Sequence, residues 1–146
     1  MEIERPRDGR IGPMTNKSPD MAPRNPRQIR VLIVEDEPLV AENLRADLVD
    51  AGFKSVQVAA RVVGALQLIE KTKFDVAVLD ANLAGMSSLP VAAALSEGGV
   101  PFIVLSGYAR GQLQSEFSEA VYVQKPYRTD LLIEALDRLA STRSRN

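Results

Sequence analysis

The sequence contains no cysteine and no histidine. Without cysteine there are no disulfides, thiolate metal sites or cysteine nucleophiles. Without histidine a Ser-His-Asp triad is impossible, and this chain cannot itself be a phosphohistidine donor. Any chemistry falls to carboxylates, lysine, hydroxyls and a metal held by oxygen. An excess of charge of either sign is also missing. The formal net charge is −1 over 146 residues, so nothing favours DNA or an anionic membrane as the main partner. No apolar run approaches the roughly 20 residues of a membrane span. The N-terminus is polar and proline-rich and has no apolar signal core. The expected location is the cytoplasm, with no membrane insertion. Hydrophobic residues make up 45% and charged residues 25%, values that suit one soluble domain with a real core.

Residues 1–29 read as a disordered arm. Pro6, Pro13, Pro19, Pro23 and Pro26 recur among polar residues, and apolar residues are isolated. Such a segment buries too little surface to offset its ordering entropy. From Arg30 the pattern becomes regular. Val31-Leu32-Ile33-Val34 suits a strand buried on both faces. Pro38 sits where a helix can begin, Val40, Ala41, Leu44 and Leu48 form its stripe, and Gly52 ends it. Strands are also expected at 55–59, 75–79, 100–105 and 121–123. Helices are expected at 62–71, at 89–95, at 109–119 through Leu113 and Phe117, and through Leu132, Ala135, Leu136 and Leu139 to about Ala140. Residues 141–146 are left as a tail.

Five strands alternating with five helices predict a parallel sheet covered on both faces. Ligands in such folds bind beyond the carboxyl ends of the strands. Glu35, Asp36 and Glu37 follow the first strand and Asp80, Ala81 and Asn82 the third. Ser106 and Gly107 follow the fourth, and Lys125 and Pro126 the fifth. Three carboxylates, Glu35, Asp36 and Asp80, would then share a cleft with one hydroxyl and one lysine. Two carboxylates about 4 Å apart repel by roughly 4 kcal/mol at an effective dielectric near 20. A divalent ion with oxygen ligands removes that cost, and Mg2+ fits best. The set reads as a phosphoryl-transfer pocket with a carboxylate nucleophile.

The stretches Val-Leu-Ile-Val-Glu-Asp-Glu-Pro (31–38), Val-Ala-Val-Leu-Asp (76–80), Ile-Val-Leu-Ser-Gly (103–107) and Gln-Lys-Pro-Tyr (124–127) resemble the receiver domain of two-component response regulators. The resemblance covers residues 30–140, and all four motifs occur in order. It implies a flavodoxin-like (βα)5 three-layer sandwich with parallel sheet order 2-1-3-4-5. It implies that Asp80 is the phosphoacceptor and that Glu35, Asp36, Asp80 and the Asn82 carbonyl serve the metal. Ser106 and Lys125 would bind the phosphoryl group, and the Lys125–Pro126 bond would be cis. A sensor histidine kinase is the implied partner, with a phosphotransfer protein or a downstream protein target beyond it. Leu83 and Ala84 stand where receivers usually carry Met-Pro. Residues 80–92 and Pro-Phe-Ile-Val-Leu-Ser-Gly-Tyr (101–108) look like a stand-alone alphaproteobacterial subfamily with a Phe-Ala-Thr-Gly-type fourth strand, although Leu105 and Ser106 replace Ala-Thr.

Plainer roles exist for each residue. Glu37 suits the helix start, Asp80 a turn, and Ser106-Gly107 a turn alone. Tyr122 is either a rotating switch aromatic or a core residue, and Tyr108 and Tyr127 are rim aromatics. Rival functions fit less well. A haloacid-dehalogenase-like phosphatase needs Asp-x-Asp after the first strand, and Asp80-Ala81-Asn82 follows the third. A flavodoxin-like electron carrier needs a glycine- and hydroxyl-rich phosphate loop where acidic 35–37 stands. A degenerate receiver would lack the acceptor, the lysine or the acidic pair. The expectation is a single-domain switch, not an enzyme. Only six residues follow Ala140, so its output would leave by protein contact or phosphoryl shuttling.

Overall fold

A computed structural model describes residues 28–107 and 121–144. The arm over 1–27, Tyr108 and the helix expected over 109–119 lie outside the described residues. In chain order the elements are β1 (Arg30–Val34), α1 (Pro38–Asp50), β2 (Ser55–Ala59), α2 (Val62–Lys71), β3 (Val76–Asp80), β4 (Asn82–Leu83), β5 (Met86–Ser87), α3 (Leu89–Glu97), β6 (Phe102–Ser106), β7 (Val121–Gln124) and α4 (Thr129–Ser144). Five of the strands form one parallel sheet in the order β2-β1-β3-β6-β7. With the two-residue strands β4 and β5 set aside as their own antiparallel hairpin, this is the flavodoxin-like order 2-1-3-4-5.

Strand alternation divides the core in two. Leu32 and Val34 of β1, Ala77 and Leu79 of β3 and Val104 of β6 face α2 and α3, where they meet Ala65, Val91 and Leu95. Val31, Ile33, Val76, Val78, Ile103 and Leu105 face the other way, onto Leu44 and Leu48 of α1 and Leu132 and Leu136 of α4. Both faces of the central strands are therefore dry, as their unbroken apolar runs require. Each fully buried Leu or Ile contributes about 1.5–3 kcal/mol of transfer free energy.

Both ends of the packed unit differ from the sequence expectation. The sequence puts Ile29 in the arm, yet it is fully buried in the α1/α4 half of the core. It continues the period-two series Ile29, Val31, Ile33, so the packed unit begins before β1. At the other end α4 continues to Ser144 and does not stop near Ala140. Ala140 is a buried position of its stripe, and adding a turn beyond it needs only backbone hydrogen bonds once the helix exists.

Candidate functional site

The carboxyl ends of β1, β3, β6 and β7 meet at one edge of the sheet. β1 delivers Glu35, whose backbone N–H donates to the Ala59 carbonyl at 3.0 Å and whose side chain is buried. One Glu35 carboxylate oxygen accepts the Glu37 N–H at 3.1 Å. The other lies 3.7 Å from Lys125 Nζ. β3 delivers Asp80, which is 8% exposed. Its two oxygens have separate partners: Oδ1 accepts the Asn82 N–H at 3.1 Å, and Oδ2 accepts from Lys125 Nζ at 3.0 Å. β6 ends in buried Ser106, whose carbonyl accepts the Lys125 N–H at 2.7 Å. The lysine is thus tied by its backbone to one site residue and by its ammonium to two others. The Lys125–Pro126 bond is cis.

Glu35, Asp36 and Asp80 offer carboxylate oxygens within 4.8 Å of one another. Burial is the main reason the Glu35 carboxyl is pushed up to about 7. The Glu37 amide opposes that shift, the charge on Asp80 adds to it, and Lys125 again opposes it. Burial by itself would lower the Lys125 pKa, but the hydrogen bond and charge of Asp80, with Glu35 behind it, outweigh that and raise it. One ammonium, paired with Glu35 and Asp80, thus shares this edge with three carboxylates. This donor set fits a hard divalent cation that takes oxygen ligands.

The sequence-predicted residues Glu35, Asp36, Asp80, Asn82, Ser106 and Lys125 all fall at this edge. Glu37 stands apart as the residue preceding α1, where it makes no side-chain capping bond. Tyr122 is half-buried against the α2/α3 half of the core, a position intermediate between the two roles considered for it. Tyr127 packs on the other half. It also lines a groove of about 570 Å³ with Val40, Leu44, Asp47, Lys125 and Pro126. Burial pushes its hydroxyl pKa up.

The model of the response regulator receiver domain matches residues 31–137. The chain belongs to this family. Among relatives, it is 37% identical over 116 residues to the positive alginate biosynthesis regulatory protein of Pseudomonas aeruginosa, covering 75% of this chain and 46% of that protein. It therefore spans about half the length of that curated relative. Among solved structures it resembles SdrG from Sphingomonas melonis (38% identity, TM-score 0.65, covering 76% of this chain and 95% of that one). It also resembles the response regulator protein TrrA from Thermotoga maritima, solved in complex with Mg2+–BeF (28% identity, TM-score 0.68, 77% and 99%). The chain is thus a receiver of the two-component type.

What sequence reasoning missed in this receiver is the hairpin directly after Asp80. Asn82 pairs with Ser87 and Leu83 with Met86, which leaves Ala84 and Gly85 as a two-residue turn. Both have positive φ, 54° and 85°, as a type I′ turn requires. The usual signal for that turn is Asn-Gly or Asp-Gly. Here the asparagine stands two residues earlier, and its Oδ1 accepts the Gly85 N–H at 2.8 Å.

Proposed function

We infer that this receiver is a phosphorylatable switch: Asp80 accepts a phosphoryl group from a sensor histidine kinase in a Mg2+-dependent reaction. The observation that carries this is the Asp80 carboxylate itself, buried at the strand end, with Lys125 on Oδ2 and two further carboxylates beside it. In the transfer a carboxylate oxygen of Asp80 attacks phosphorus while the donor P–N bond breaks. The electron pair leaves with the donor imidazole, which takes up a proton, and nothing is oxidised or reduced. Glu35, Asp36, Asp80 and the Asn82 carbonyl would hold Mg2+, which when bound supplies positive charge to the transferring phosphoryl oxygens. Lys125 pairs with one phosphoryl oxygen and Ser106 donates to another. As Ser106 is drawn toward the phosphoryl group, the neighbouring aromatic Tyr122, paired with Val104 of the same strand as Ser106, shifts into the space it leaves.

The product is a signalling state and not a released compound. Its output passes to a phosphotransfer protein or another protein target. The test is incubation with acetyl phosphate and Mg2+. A hydroxylamine-sensitive mass gain of one phosphoryl group is expected in the wild type and none in Asp80→Asn, with both proteins folded. An equal gain in Asp80→Asn contradicts the assignment.

A further inference from the structure

The hairpin after the acceptor is pinned by Ser88, which is fully buried. A buried hydroxyl requires a partner. The partner of Ser88 is the Ala81 carbonyl, which accepts from Oγ at 3.1 Å and from the Ser88 N–H at 3.3 Å. Ala81 C=O and Asn82 N–H are two ends of one planar peptide unit. Fixing the carbonyl therefore fixes the direction of the N–H, and that N–H donates to Asp80 Oδ1 at 3.1 Å. Lys125 holds Oδ2. The terminal torsion of an aspartate is otherwise broad; here both of its oxygens are assigned.

Ser88 has an obvious alternative role, because it immediately precedes α3. Its side chain makes no capping bond to that helix. The helix-start bond belongs to Ser87, whose Oγ accepts the Leu89 N–H at 3.1 Å. The two adjacent serines thus divide the work: Ser87 serves the helix and Ser88 serves the peptide beside the acceptor. The Asn82 side chain is engaged by Gly85, so at the acceptor Asn82 acts through its backbone.

We propose that Ser88 is a positioning residue for phosphoryl transfer, acting through the Ala81–Asn82 peptide to orient the Asp80 carboxylate. This rests on Asp80 being the acceptor. A carboxylate freed to rotate spends less time aligned for attack, and small misplacements of reacting groups cost large factors in rate.

The experiment compares wild type, Ser88→Ala and Ser87→Ala with acetyl phosphate, each at a temperature where it is fully folded. Ser88→Ala is expected to form the adduct about tenfold more slowly, to need more Mg2+ for half-maximal rate, and to shift the Asn82 amide resonance. Ser87→Ala is expected to melt at a lower temperature with rate and Mg2+ dependence unchanged. If Ser88→Ala reacts like wild type and leaves the Asn82 amide in place, Ser88 is only a packing residue and the inference fails. If wild type forms no adduct at all, the acceptor assignment fails first. The wild-type protein gives a second reading. The Asn82 amide proton is expected to exchange with solvent more slowly than an unbonded exposed amide, and unslowed exchange overturns the latch.

Discussion

At the scale of single residues, position relative to the strand end separates acids that look alike in sequence. Glu35, Asp36 and Glu37 are consecutive, yet Glu35 is buried, Asp36 is half-buried and Glu37 is exposed. Glu35 and Asp36 join Asp80 in the oxygen cluster. Glu37 contributes its N–H to Glu35 and leaves its own carboxylate in solvent. Asp36→Ala is therefore expected to weaken Mg2+ binding at least several-fold, and Glu37→Ala to leave it within about twofold, because a divalent ion held by few carboxylates feels the loss of each one. An NMR titration following the amides around Asp80 measures both. Equal weakening in the two variants would mean that the ligand set is wrong.

At the scale of elements, the hairpin carries local strain that a single substitution can remove. Ala84 sits at φ 54°, a left-handed conformation that costs a residue with a Cβ about 1–2 kcal/mol. Glycine has no such penalty but a more flexible unfolded state. Ala84→Gly is expected to raise unfolding stability by roughly 0.5–1 kcal/mol, measured by urea denaturation. A loss of stability would show that the methyl group is needed. This hairpin was not legible from the sequence, because the asparagine that supports it lies outside the two turn positions and Ala-Gly is a weak turn signal. The central strands β1, β3 and β6 were legible, because their apolar β-branched runs report burial on both faces directly; the partly exposed edge strands β2 and β7 gave a weaker signal. The site residues followed from those strand ends. Ser88 did not, because a serine ahead of an apolar helix reads as a cap, and only the observed bond to Ala81 shows otherwise.

At the scale of the whole molecule, one sheet separates two apolar layers while its carboxyl edge gathers the charged groups. The layers supply the stability and the edge supplies the chemistry. Leu136 of α4 is fully buried, whereas Leu131 on the same helix is 53% exposed. Leu136→Ala is expected to cost about 2–5 kcal/mol, and Leu131→Ala to stay within about 0.5 kcal/mol, both read from urea unfolding. Similar losses at the two positions would contradict the packing of α4 on β3 and β6. Such stable layers let the carboxyl edge hold mutually repelling carboxylates without unfolding the domain. The account stands on one of those carboxylates being the group that is modified. Borohydride reduction of the chain after treatment with a phosphodonor and Mg2+ reads this directly, since it converts an aspartyl phosphate to homoserine. Peptide mapping is expected to find homoserine at position 80, formed only when the donor is present. Homoserine at another aspartate, or none in a protein shown to be folded and Mg2+-loaded, would contradict the account.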